Sequence, residues 1–405
     1  MPPKKILIIS THFWPENFLI NAVALKLQEL GCVVTVITGM PNYPGGNIYK
    51  KYKKYKKLHI EYFNGIKIYR IPIYPRKNAN FINLFLNYIS FIVCGVFFLR
   101  KINFKNKIDH IFSYATSPIT SALIGIFLKK KINKKLSIWV QDLWPESVKS
   151  TGFIKNKIIL YLITLLVKFI YNKSDNIIAQ NNSFKKNIKK YTNKKVYVVE
   201  NSHFNLSRKR KVKINNSLKN LLKNKFCITF AGNIGKAQSC ETIIHTAKIL
   251  SKIKRIHFII IGSGSKFVEI NTTINTLNLK NISLLGSLNS EITLNILKKS
   301  SALLLTLKKS EIFSLTIPNK FQTYLFAMKP ILISADGEVS KLTKKYNVGL
   351  TSPAENFKLL SKNILELYKN YKSKKKKYKL NCKILYSKKF DIKSQTQKLL
   401  KIFSL

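Results

Sequence analysis

The sequence predicts an α/β protein of two Rossmann-like domains, with parallel sheets facing each other across a cleft. Three observations predict it. Continuous apolar runs of strand length alternate with segments of helical period, the pattern of a parallel sheet covered on both faces. The alternation stops at a polar, basic interval near residue 203 and then restarts. The 405 residues are 46% apolar, enough for two cores.

In order, "KILIIS" reads as a buried strand. "NFLINAVALKLQELG" is a helix stopped by Gly31, and "CVVTVIT" is the next strand. "LHIEYFNGIKIYRIPIY" alternates around Asn64-Gly65, a hairpin signal. Strands and helices follow at "IDHIFSY", "SALIGIFLKK", "LSIWVQD", "IILYLITLLVKFIY", "NIIAQ" and "VYVVEN". "SHFNLSRKRKVKINNSLKN" reads as a linker. Beyond it lie "FCITFAG", a helix over 240–250, "RIHFIIIG", "ISLLG", a helix over 289–299, "ALLLTL", a helix opening near Thr316, and "VGL". "KSKKKKYK" reads as a solvated run ahead of an amphipathic helix, "SQTQKLLKIF". The expected domains are 1–203, 204–385 and a helix within 386–405 that packs back on the first.

Lys and Arg number 72 against 17 Asp and Glu, a formal charge of +55. That field favours anionic partners: nucleic acid, phosphorylated ligands or acidic lipid. Almost all of it is lysine, whereas direct base reading leans on arginine forks. No aromatic and basic residues interleave into a nucleic-acid platform, so nucleic acid ranks last among the partners. Five scattered cysteines without a C-x-x-C pair suit a reduced, cytoplasmic setting. Ile6–Ile9 is too short for a signal-peptide core. No D-x-D pair, zinc spacing or G-x-S-x-G elbow appears, so no metal is expected.

In open α/β sheets ligands sit at the carboxyl ends of the strands, which singles out four loops. "STHFWPEN" brings His12 and Glu16 to that edge, where the plainer role for Glu16 is to complement a helix dipole. "VQDLWPES" offers Asp142, Trp144 and Glu146, a sugar-binding wall or a cap beside a packed tryptophan. "FAGNIGKAQS" places Gly232 and Gly235 where backbone N–H groups can approach a phosphate, with Lys236 supplying charge; "IIIGSGSK" repeats the idea with Gly262 and Gly264. The fourth loop, "IFSLTIPNKFQTYLF", sets Lys320 in the first turn of a helix. That end carries partial positive charge, so a lysine has the wrong sign unless a bound diphosphate neutralises it or its chain snorkels to solvent. Pro318 suits the first turn, and Thr316 or Asn319 can cap it. Finally, "FINLFLNYISFIVCGVFFL" (81–99) carries no charge and is flanked by Arg76, Lys77, Arg100 and Lys101. Within an α/β domain it reads as a helix lying in a membrane interface through Phe85, Phe91 and Phe97, or as a buried crossover helix.

Taken together, "DLWPES", "FAGNIGKAQ", "TIPNKFQTYL", "KPILIS" and "ADGE", with "THFWPEN" and "GMPNYPGGNIY" upstream, resemble the family 4 bacterial glycosyltransferases, which share the GT-B fold. Within them the chain is similar to transferases of N-acetyl-L-fucosamine or related sugars in O-antigen and capsule synthesis. The resemblance implies a UDP-sugar donor in the C-terminal domain and a polyprenyl-diphosphate-linked saccharide acceptor in the N-terminal one. It implies retention of configuration, no metal and no cofactor, at the inner face of the cytoplasmic membrane. On this reading Gly232, Asn233, Gly235, Lys236, Gln238, Gly262 and Gly264 line the donor loops. Glu311, Thr316, Ile317, Pro318, Asn319 and Lys320 lie beside the donor. His12, Glu16, Asp142, Trp144 and Glu146 lie on the acceptor side, and Lys236, Lys320, Asp142 and Glu16 are the candidate catalytic groups. The family's paired glutamates, with seven residues between them, would fall at Leu315 and Thr323, and neither is acidic. A non-hydrolysing UDP-sugar epimerase of the same fold is the alternative enzyme, and a basic nucleic-acid-binding protein the remaining one.

Overall fold

The computed structural model describes residues 4–104, 107–151, 154, 156–202 and 214–405. The linker expected from residue 202 and the boundary expected at 203 fall largely outside them. The chain forms two units, residues 1–204 with 392–405, and residues 205–391.

The first unit contains strands β1 (Lys5–Ile9), β2 (Val33–Gly39), β3 (His59–Phe63), β4 (Ile66–Ile71), β5 (His110–Ala115), β6 (Leu136–Val140), β7 (Asn176–Ala179) and β8 (Val196–Val198). Its helices are α1 (Leu19–Glu29), α2 (Phe81–Leu99), α3 (Ala122–Ile132), α4 (Glu146–Thr151), α5 (Lys157–Lys173) and α6 (Asn182–Ile188). The sheet order is β3-β4-β2-β1-β5-β6-β7-β8, parallel except for the β3–β4 hairpin. That hairpin turns at Asn64-Gly65, both with positive φ.

Strand alternation divides the core. Ile6 and Ile8 face one side with Val34, Val36 and α1, while Leu7 and Ile9 face the other with Phe91, Ile124 and Leu128. Helix α2 is a crossover between β4 and β5 with one buried stripe: Asn87, Phe91, Gly95 and Leu99. A Cβ on Gly95 would lie 2.5 Å from Ile124 Cδ1, so glycine lets α2 sit down against α3. Phe91, expected to contact membrane, is 1% exposed and belongs to this core; the four-residue spacing of the stripe puts it on the sheet side.

The second unit contains α7 (Asn216–Asn224), β9 (Phe226–Ala231), α8 (Cys240–Ile249), β10 (Ile256–Ile261), α9 (Phe267–Thr276), β11 (Ile282–Leu284), α10 (Ser290–Lys299) and β12 (Ala302–Thr306). It continues with α11 (Glu311–Ser314), α12 (Asn319–Ala327), β13 (Ile331–Ser334), α13 (Glu338–Lys345), β14 (Gly349–Ser352), α14 (Phe357–Lys369) and α15 (Tyr371–Lys389). All six strands are parallel, in the order β11-β10-β9-β12-β13-β14. The lysine run is not merely solvated: it lies within α15, which buries Tyr378, Cys382 and Leu385. Cys382 and Leu385 join the cluster that holds Phe321 and Leu325 of α12.

The chain then returns to the first unit as α16 (Ile392–Phe403). Leu399, Ile402 and Phe403 enter the core beside α1. Lys4 Nζ donates to Phe403 O at 2.8 Å, Asn176 Nδ2 donates to Ile402 O at 3.2 Å, and His110 stacks on Phe403.

Candidate functional site

In the second unit the loops after β9 and β10 are locked together by backbone. Gly232 N donates to Ile261 O at 2.9 Å, and Ile234 N donates to Ser263 O at 2.8 Å. The packing leaves no room for side chains. A Cβ on Gly262 would lie 1.8 Å from Gly232 O, and both glycines have positive φ. Asn233 fills the next gap, where a Cβ on Gly235 or Gly264 would strike its amide group.

Against this double loop lies the start of α12. Pro318 is its N-cap and makes no side-chain cap, so neither expected cap forms: Asn319 is the first helical residue, and Thr316 Oγ1 donates backward to Phe313 O at 2.9 Å. Lys320 is the second residue of the helix. Its chain runs inward, with Nζ 4.1 Å from the Phe230 ring centroid and donating to Gln238 Oε1. A Cβ on Gly232 would lie 3.0 Å from that Nζ, so the glycine makes room for the ammonium. Burial pushes the Lys320 pKa down to about 7, partly opposed by Cys240, whose own thiol burial pushes up to about 12.

Lys320, Gly232 and Gly262 line a cavity of about 270 Å³ with Ser287, Thr293 and Tyr324. Tyr324 is anchored from behind, accepting from Ala231 N at 2.9 Å and donating to Leu304 O at 3.1 Å. Ligand pockets for small molecules run from about 300 Å³ upward, so the cavity suits one part of a nucleotide-sized ligand. The cavity brings the buried Lys320 beside two glycines whose own N–H groups are bonded to Ile261 O and Gly286 O, in the first turn of a helix whose start has no side-chain cap. A buried cation next to a helix start can receive an anion.

The other candidates of this unit stand apart from the cavity lining. Lys236 is exposed, as is Glu311, and Thr316, Ile317, Pro318 and Asn319 shape the turn into α12. Sequence reasoning missed Tyr324, Ser287 and Thr293. Tyr324 was recoverable, because it lies four residues after Lys320 on a helix and therefore on the same face.

In the first unit, Glu16 is 1% exposed and fully engaged. Its Oε1 accepts from the N–H groups of Asn42 and Tyr43 at 2.9 and 2.7 Å, and its Oε2 lies 3.0 Å from His12 Nδ1. His12 stacks on Phe18 with centroids 4.8 Å apart. The carboxylate thus fixes the loop after β2 and orients the imidazole. Asp142 Oδ2 accepts from Ser117 N at 2.8 Å, and Trp144 Nε1 donates to Ser117 Oγ at 2.9 Å. Burial raises the Asp142 pKa, against the lowering effect of the Ser117 bonds. Glu146 accepts from Asn187 Nδ2 and Tyr191 Oη at 2.8 and 2.7 Å, which ties α4 to α6 and the turn that follows. Sequence reasoning also missed Arg70. Fully buried, it bonds Glu61, Gly39 O and Trp14 O and so joins the loops after β1 and β2.

The fold and this site define a class: two Rossmann-like units of largely parallel sheets, matching GT-B structures, with a lysine-lined pocket in the second. Residues 213–382 match the family described as "Glycosyl transferases group 1". No curated protein matches the chain by sequence. Among solved structures, sucrose-phosphate synthase from Thermosynechococcus elongatus shares 13% identity at a TM-score of 0.70, covering 99% of this chain and 98% of that one. The structure described as "Trehalose-6-phosphate from E. coli bound with UDP-2-fluoro glucose" shares 10% identity at a TM-score of 0.73, covering 99% of each chain. Anabaena Alr3699/HepE in complex with UDP shares 12% identity at 0.68, again covering 99% of each.

Proposed function

We propose that the protein is a glycosyltransferase that moves a sugar from a UDP-linked donor to a lipid-linked saccharide. The observation that carries this reading is Lys320: an ammonium drawn inward at a helix start, with Gln238 as its neutral partner and Gly232 making room for it beside the cavity. A diphosphate there would accept the free N–H groups of α12 and restore the lysine's charge. As the sugar leaves, negative charge grows on the departing nucleotide, and preorganised donors at that point lower the barrier most. The family match over 213–382 supports the assignment, as do the structural neighbours described with UDP and UDP-glucose.

The finer reading follows the motifs. The sugar is N-acetyl-L-fucosamine or a related amino sugar, transferred with retention and without a metal. The acceptor is a polyprenyl-diphosphate-linked saccharide of O-antigen or capsule assembly, met at the inner face of the cytoplasmic membrane. Lys236 and the loop around Gln238 would border the diphosphate, while Asp142 and Trp144 would border the acceptor.

The test is calorimetric titration with UDP and UDP-sugars, followed by mass-detected transfer onto lipid-linked acceptors. Saturable UDP binding that is lost in Lys320→Ala supports the donor site. Conversion of a UDP-sugar in the absence of any acceptor would instead mark an epimerase.

A further inference from the structure

Helix α2 is not alone in its exposed apolar surface. Among the described residues, twenty-three large hydrophobics are exposed, and thirteen of them lie on α2 and α5. Both helices pack against α3, so they flank it on one side of the first unit. Opposite the buried stripe of α2 stand Ile82, Phe85, Ile89, Val93 and Phe97, from 42% to 64% exposed. Helix α5 repeats the design: Val167, Ile170 and Tyr171 are buried, while Ile158, Tyr161, Leu162, Leu165 and Phe169 are 43–70% exposed. An ordinary crossover helix carries polar residues on that face.

The charges around this surface have one sign. Neither helix contains an acidic residue. Arg100 and Lys101 lie over the Phe97 ring at 4.7 and 5.9 Å, and Lys173 lies over Phe169 at 6.0 Å, so cations border the apolar face at the end of each helix. A second copy of the chain would bring like charges together along the rim. An anionic lipid surface is complementary in both apolar area and charge. Neither helix is free to cross a bilayer. Asn87 Nδ2 donates to Tyr74 O at 2.6 Å, and the stripe from Asn87 to Leu99 fastens α2 lengthwise to its own sheet.

We infer that α2 and α5 together form a two-helix seat that lays the first unit on an anionic membrane, with α5 a full partner in the contact. Two contact lines, one on each side of α3, limit how far the unit can roll, where a single helix would leave it free to do so. The inference rests on the proposed work at a membrane and is independent of donor chemistry.

The test is co-sedimentation of the full chain with vesicles of phosphatidylethanolamine and phosphatidylglycerol, compared with phosphatidylcholine alone. Binding to the anionic vesicles, weakened by salt, is expected. Ile158→Ser with Leu162→Ser and Phe169→Ser should weaken it at least about tenfold, as should Phe85→Ser with Val93→Ser. UDP affinity, read on the second unit, should stay unchanged. Tyr161→Trp supplies a readout that spares the fold, and its fluorescence should shift to the blue when vesicles are added. Full vesicle binding by the α5 variant, no shift at position 161, equal binding to neutral vesicles, or a dimer that these substitutions dissociate would each overturn the inference. Lost transfer activity with intact vesicle binding would count against the glycosyltransferase reading alone.

Discussion

If Lys320 receives a diphosphate, binding must be coupled to protonation. In the free protein burial holds the ammonium pKa at about 7, so near pH 8 the group is mostly neutral. A bound diphosphate favours the charged form, and the complex therefore takes up a proton, about 0.9 per ligand at pH 8 for a free pKa of about 7. The sign is fixed by the direction of the shift: the pKa rises on binding, so affinity falls as pH climbs above 7. Relative to pH 7 the loss is about fivefold at pH 8 and about fiftyfold at pH 9, near 1.4 kcal/mol per unit once the lysine is mainly neutral. The ligand's own last phosphate ionisation, near about pH 6, sets the opposite limb, so binding peaks near neutrality. Calorimetry of UDP binding at pH 8 in two buffers of different ionisation enthalpy counts the protons directly. Lys320→Met should remove both the uptake and the slope. Affinity constant from pH 7 to 9 with no proton taken up would refute the coupling, and with it the contact between Lys320 and an anion.

Three further outcomes follow from the same geometry. Gly262→Ala would place a Cβ 1.8 Å from Gly232 O and should cost at least about 3 kcal/mol in urea unfolding, with UDP binding lost. Glu61→Leu leaves the buried Arg70 guanidinium without its carboxylate and should lower stability by about 3 kcal/mol, seen as a reduced denaturant midpoint. Phe403→Ala removes a ring that is 3% exposed, stacked on His110 and tilted against Phe112; about 3–5 kcal/mol should be lost, read from the transition of the first unit.

Much of the fold was legible because parallel strands buried on both faces write themselves as unbroken apolar runs. "FCITFAG" and "RIHFIIIG" lie at β9 and β10, and the Asn64-Gly65 turn lies between β3 and β4. Helices α9 and α13 escape the sequence because their apolar positions are few and their exposed faces are rich in Lys, Asn and Thr, whereas α14 was recoverable from the helical spacing of Leu360, Ile364 and Leu367. Lys320 could be picked out as an electrostatic conflict within one turn. What the sequence withheld was its direction: the inward path depends on Phe230 and Gln238, more than eighty residues away. The engagement of Glu16 was hidden for the same reason, since its partners Asn42 and Tyr43 come from the loop after a different strand. The outward face of α2 followed from hydropathy, but which phenylalanines point outward needed the buried stripe through Phe91.

The return of α16 has a consequence for synthesis. Residues 1–204 leave the ribosome long before residues 392–405, and until those arrive the groove that receives Leu399, Ile402 and Phe403 stays open. Through that interval, while some 190 intervening residues are made over roughly ten seconds or more, the nascent first unit displays an unfilled hydrophobic slot. Native completion of the earliest part of the polypeptide therefore waits on one of its latest.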